Sequence, residues 1–201
     1  MAKIVHVVGT SDTGKETVTK SIVKRLTNKG YEAIRLQEPG PLRDLAKSYR
    51  LRINKSPWTE AAIFTTDRLM LYNEKVFPRI KEKNLLFIFD RGLPETVIYQ
   101  GILGGVDISN IFLMNSEIPP SDIYVCLTVE GRIGYERALK KQRETGEAPS
   151  RNETPESIDV LADSYKKYLP RYFDNVHFID TSNITIDQTV ELCYNKVRSI
   201  L

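Results

Sequence analysis

Ile4-Val5-His6-Val7-Val8 runs into Gly9-Thr10-Ser11-Asp12-Thr13-Gly14-Lys15-Glu16-Thr17, and Val18, Ile22, Val23 and Leu26 follow at helical spacing. An apolar run, a loop bracketed by glycines and an amphipathic segment give the order strand, tight loop, helix. Such a loop turns its backbone N–H groups toward a polyphosphate at the positive end of a helix dipole. Lys15 adds a point charge where the helix starts. The spacing matches the phosphate-loop pattern G-x-x-x-x-G-K-[ST] until its last position, where Glu16 replaces Ser or Thr. Gly9 to Thr17 is therefore the expected triphosphate-binding stretch, with a carboxylate where magnesium usually finds a hydroxyl. Thr17 offers that hydroxyl one residue later.

Working outward, strand-like runs alternate with helix-like segments. Strands are expected at 4–8, 33–36, 85–89, 123–127 and 176–179, several of them apolar on consecutive positions, as in strands covered on both faces. Helices are expected at 15–29, 58–83 with a bend near Pro78, 94–103, 132–143, 155–172 and 186–201. That alternation implies an α/β three-layer sandwich: a central five-stranded parallel sheet, helices on both faces, ligands at the carboxyl ends of the strands.

With 201 residues, 41% hydrophobic and 27% charged, the chain suits a single domain spanning 1–201. A net charge of +3 gives no case for nucleic acid. Cys126 and Cys193 sit in apolar segments without metal spacing and read as buried thiols of a reducing compartment. No apolar run approaches the ~20 residues that span a bilayer. A cytoplasmic protein that binds no membrane is the expectation.

Two further constellations fall at strand ends. Asp90-Arg91 directly follows Leu85-Leu86-Phe87-Ile88-Phe89, so its carboxylate stands at the ligand edge of the sheet and can hold Mg²⁺ through water. Glu38-Pro39-Gly40 follows the second strand and places Glu38 at the same edge. Asp90, Glu38 and Glu16 are the expected metal ligands. The polar stretch around 140–155 carries Gly146 and Pro149 with Lys140, Lys141, Arg143 and Arg151 about it, and reads as a lid over phosphates.

The motif set resembles the thymidylate kinase family. That family carries a phosphate loop, an E-P-G turn, a helix with F-x-x-x-R, and D-R followed by Y-Q-G. Here these are Glu38-Pro39-Gly40, Phe64 to Arg68, Asp90-Arg91 and Tyr99-Gln100-Gly101, in the same order and at similar intervals. Pro120 to Leu127 and Glu136-Arg137-Ala138 extend the likeness over nearly the whole chain. The loop by itself is also similar to that of dethiobiotin synthetase, but the later motifs argue against that family.

The resemblance implies transfer of the γ-phosphoryl of ATP, with Mg²⁺, to a deoxynucleoside monophosphate, dTMP above all. It implies catalytic roles for Lys15, Arg91 and the lid arginines Arg143 and Arg151. Phe64 would stack on the pyrimidine, Arg68 would reach its carbonyl, and Arg91 with Arg43 or Arg50 would hold the acceptor phosphate. Tyr99 and Gln100 would line sugar and base beside Glu38 and Glu95. A homodimer packing the helix near 58–83 is also implied. Four departures stand out: Glu16 in the loop, Ser11 and Gln37 where the family carries an acid and an arginine, and Glu95 where it has serine. They keep two alternatives open, a catalytically impaired nucleotide-binding relative and a kinase for another nucleotide or nucleoside.

Overall fold

The structure is a computed structural model that describes residues 1–146 and 153–201. Five strands form one parallel sheet: β1 (Lys3–Gly9), β2 (Glu32–Gln37), β3 (Leu85–Asp90), β4 (Ile123–Thr128) and β5 (Val176–Asp180), in spatial order β2-β3-β1-β4-β5. Eight α-helices surround it among the described residues: α1 (Lys15–Thr27), α2 (Arg43–Arg50), α3 (Pro57–Leu71), α4 (Leu93–Thr96), α5 (Ile108–Met114), α6 (Gly131–Thr145), α7 (Pro155–Tyr172) and α8 (Ile186–Arg198). The three-layer α/β sandwich with a central five-stranded parallel sheet is as expected.

The alternation of β1 builds the layers. Val5 and Val7 point into a core made with Val18, Ile22 and Leu26 of α1 and Val190, Cys193 and Val197 of α8. Val8 points to the opposite face, against Ile98, Leu161, Tyr165 and Leu169. Ile4 packs on that side with Leu71, Tyr72, Phe87 and Phe89. Buried on both faces, β1, β3 and β4 are apolar at successive positions, as crossover-connected parallel strands must be.

The long helix expected at 58–83 ends earlier. After α3 the backbone passes through a π-type turn at Tyr72–Val76 and a 3-10 turn at Phe77–Arg79. Pro78 has no N–H for the carbonyl of Glu74, and its ring crowds that carbonyl, so a regular α ladder does not resume after the π-type turn. Two helices, α2 and α5, fall in stretches where none was expected.

The register sets the site. Gln37, Asp90 and Val7 lie side by side across β2, β3 and β1, and Gly9 lies beside Leu127 of β4. The carboxyl ends of the strands thus bring Glu38, Asp90-Arg91 and the loop from Gly9 to one edge.

Candidate active site

Close approach fixes the glycines of the loop. Gly9 has φ +122°, and a Cβ there would lie 1.9 Å from the carbonyl oxygen of Leu127. At Gly14, φ +81°, a Cβ would come within 2.6 Å of Ile186 Cδ1. Asp12 takes the left-handed conformation without being glycine, at φ +54°. Lys15 opens α1 with its side chain buried, and its Nζ donates to the carbonyls of Gly9, at 3.1 Å, and Thr10. Burial, then Arg91, pushes the Lys15 ammonium down to about 8, against the attraction of Glu95 and Asp90. Thr13 Oγ1 is spent on the carbonyl of Thr10 at 2.9 Å. Among the described residues, Thr10 Oγ1 and Asp12 Oδ2 are buried with no hydrogen-bond partner. Ser11 is partly buried and Thr17 exposed.

Glu16 turns outward. It pairs with Lys20 one helical turn on at 2.7 Å, and this bond holds its carboxyl below the usual range. Glu38 is also engaged elsewhere: Arg68 grips its buried carboxylate through Nε, at 2.9 and 3.0 Å, and Nη2, at 2.7 Å. The third carboxylate expected around magnesium, Asp90, stands at the sheet edge but is paired as well. It is buried at the end of β3, and its Oδ2 accepts from Arg35 Nη2 at 2.6 Å. Among the described residues no three acidic, histidine or cysteine side chains form a cage for a metal ion. A magnesium ion held by one carboxylate, water and nucleotide phosphates needs no such cage.

Arg35 was not anticipated. Its Nε also donates to Thr19 Oγ1 of α1 at 2.8 Å, so it ties the phosphate-loop helix to Asp90. The sequence signal was present: Gln37 lacks a charge, and Arg35 lies two residues earlier on the same strand face.

On the acceptor side the expected residues gather but are used differently. Arg68 is 1% exposed and donates to Glu38, to Asn115 Oδ1 at 2.7 Å and to Thr96 Oγ1 at 3.1 Å. Asn115 in turn donates to Thr65 Oγ1 at 3.0 Å. Arg68 is therefore the hub of a buried network rather than a side chain poised in a pocket. Burial raises the Glu38 pKa, against the pull of Arg68. Asp67 beside it accepts from the N–H groups of Gly40 and Leu42 and so holds the Glu38-Pro39-Gly40 turn.

Phe64 is nearly buried, and the guanidinium of Arg50 lies over its ring at 4.8 Å. Arg50 bonds Glu60 at 3.1 Å, and Gln100 Nε2 donates to the other oxygen of Glu60 at 3.1 Å. Glu60, unremarked in the sequence, thus holds the side-chain NH2 of Gln100. A base stacked on that face of Phe64 needs Arg50 to swing away.

Arg91 follows Asp90 in the left-handed region, φ +74°, and its N–H donates to the carbonyl of Val7 at 3.0 Å. Glu95 and Tyr99 lie close enough to support its charge against burial. Glu95 is engaged with the backbone: its oxygens accept from the N–H groups of Gly9 at 3.3 Å and Gly92 at 2.9 Å. Arg143 is exposed in the last turn of α6, and Arg151 lies outside the described residues. The stretch 147–152 of the expected lid lies outside the described residues, and its neighbours reach the loop electrostatically, for burial above all raises the Asp12 pKa, Glu153 raises it further and Lys141 lowers it.

A family model for thymidylate kinase matches residues 9–192. Curated relatives include the thymidylate kinase of Caldicellulosiruptor saccharolyticus, 26% identical over 99% of this chain and 95% of its own. That of Staphylococcus epidermidis is 27% identical over 98% of each chain. That of Caldanaerobacter subterraneus subsp. tengcongensis is 28% identical over 70% of this chain and 69% of its own. With a loop, a strand-end Asp-Arg and an E-P-G turn meeting at one sheet edge, the chain belongs to the thymidylate kinase family.

Proposed function

We propose that the chain transfers the γ-phosphoryl group of ATP to a deoxynucleoside monophosphate, dTMP above all. The observation that supports this best is the meeting of Lys15, Asp90 and Arg91, whose charges act on one another at the sheet edge. The second pKa of an acceptor phosphate is ~6, so the attacking oxygen is already ionised at neutral pH and no general base is required. The residues' task is alignment and charge neutralisation.

The loop suits a triphosphate: its glycines take positive φ values that let it turn tightly between β1 and α1, and among the described residues the buried Thr10 Oγ1, a hydroxyl able to donate to phosphate, has no partner. The amides of residues 11–15 would face the donor phosphates, since the Thr10 N–H already donates to the carbonyl of Leu127 at 3.1 Å. Lys15 would exchange the loop carbonyls for phosphate oxygens, and Arg91 would hold the acceptor phosphate in line. Asp90 would carry magnesium, which supplies charge neutralisation on the donor phosphates. Phe64 and the carbonyl of Gln100 would read the base, and Tyr99 would flank the sugar. Arg143 and Arg151 would close from the lid at 140–155. A cytoplasmic setting and a single domain belong to the same reading.

A homodimer is part of the proposal. Between residues 61 and 73 of α3 and its extension the charged side chains, Asp67 and Arg68, are buried, while Ala62, Thr66 and Met70 are exposed. An uncharged outer helix face suits a second copy of the chain.

A second reading, binding without transfer, is favoured by Glu16, which gives the loop no hydroxyl and points to Lys20. An ADP-release assay across dTMP, dUMP, dCMP, dGMP and dAMP separates the two. Turnover greatest with dTMP is expected; release with none of the five leaves the binding protein.

A further inference from the structure

Glu95 sits on the third residue after Gly92, at the start of α4, and its backbone and side chain close a reciprocal cap with that glycine: Glu95 N–H donates to Gly92 O at 3.1 Å and Oε2 accepts from Gly92 N–H. The other oxygen, Oε1, does something a cap does not need. It accepts from the N–H of Gly9, 86 residues away at the root of the phosphate loop.

Both ends of this bridge are conformationally demanding. Gly9 holds a positive φ hard against Leu127, and Arg91, next to Gly92, holds a left-handed conformation without being glycine. Such residues keep their conformation only when their surroundings over-determine it. Gly92 has no room to shift toward β1, since a Cβ there would lie 2.3 Å from the His6 ring. One carboxylate therefore pins the loop that would hold the donor phosphates and the turn that would carry the acceptor arginine.

We propose that Glu95 is a positioning residue that joins the two phosphate sites into one mechanical unit, so that filling either one changes the affinity of the other. The coupling part rests on the kinase reading above; the bridge itself does not. The charged and titratable groups facing the carboxylate are Arg91 on its own turn, Lys15 of α1, Glu38 after β2, Tyr99 on the next turn, Cys126 of β4 and Tyr165 of α7. Burial raises its pKa to about 7 in spite of Arg91 and Lys15, so phosphate charge arriving beside it favours the protonated form, which keeps one oxygen as an acceptor.

Two measurements test the bridge, using Glu95→Ala and the near-isosteric Glu95→Gln in case the first fails to fold. Amide exchange on the ligand-free protein comes first. If the bridge exists, Glu95→Gln speeds exchange in both residues 9–14 and 90–93; loosening of 90–93 alone makes Glu95 a helix cap and overturns the proposal. Second, the dissociation constant of dTMP is measured with and without a non-hydrolysable ATP analogue and magnesium. The wild type should show a fivefold or greater change that shrinks toward one in Glu95→Gln, with kcat falling at least tenfold and either KM moving less. A wild-type ratio of one, or an unchanged ratio in the variant, overturns the coupling. If the wild type binds neither nucleotide, the kinase reading fails while the exchange result still decides the bridge.

Discussion

Glu16 is the residue on which the chemistry of the loop turns. Its side chain is 60% exposed and paired with Lys20, an arrangement that supports the first turn of α1 by about 0.3–0.5 kcal/mol and turns the carboxylate away from the proposed metal position. Glu16→Thr should therefore raise kcat/KM for magnesium ATP severalfold at nearly unchanged stability, as initial-rate kinetics would show. A tenfold loss would mean that Glu16 rotates inward to bind the metal. Glu95 gives a second test at this scale. With its folded pKa near 7, above the ordinary 4.5, the native protein holds a proton there that the unfolded chain has released. Stability from this group is therefore greatest at low pH and falls as pH rises from about 4.5 through about 7. Thermal melts from pH 5 to 8 should show the wild type declining relative to Glu95→Gln over that window; parallel curves would contradict it.

Among the elements, α3 does two jobs. Inward it carries Arg68, whose guanidinium satisfies the buried Glu38 carboxylate together with Asn115 and Thr96. Removing one partner of such a pair strands the other, at a cost of about 3–5 kcal/mol. Arg68→Met should lower the unfolding free energy by that amount in a denaturant titration, so any loss of dTMP binding must be judged on folded protein. Changes under 1 kcal/mol would show that Glu38 finds water instead. Outward, α3 exposes Ala62, Thr66 and Met70. If this face packs on a second copy, Ala62→Glu should convert a dimer to a monomer in light scattering; a wild-type monomer, or a variant that stays dimeric, argues against that interface.

For the molecule as a whole, the sequence was readable wherever a pattern repeats with the period of its element. The five strands lie within about two residues of expectation, and α7 spans Pro155–Tyr172 as its spacing implies. α2 buries only Ala46, so no apolar stripe betrayed it, and α5 is seven residues long with Ile111 alone buried. The site was legible where geometry follows from a strand end, as for Asp90 and the loop from Gly9. It was not legible where two distant polar groups choose each other. That Glu38 would close on Arg68, Arg35 on Asp90, Gln100 on Glu60 and Glu95 on Gly9 depends on tertiary packing that no spacing encodes.

The central claim is that this loop and this sheet edge move a phosphoryl group from ATP to dTMP. The most direct measurement incubates the purified chain with magnesium, dTMP and ATP labelled with ¹⁸O in its γ-phosphoryl group, and follows the products by mass spectrometry. Labelled dTDP appearing in step with ADP is the expected result. ADP with labelled inorganic phosphate and no dTDP, or intact ATP, would contradict it.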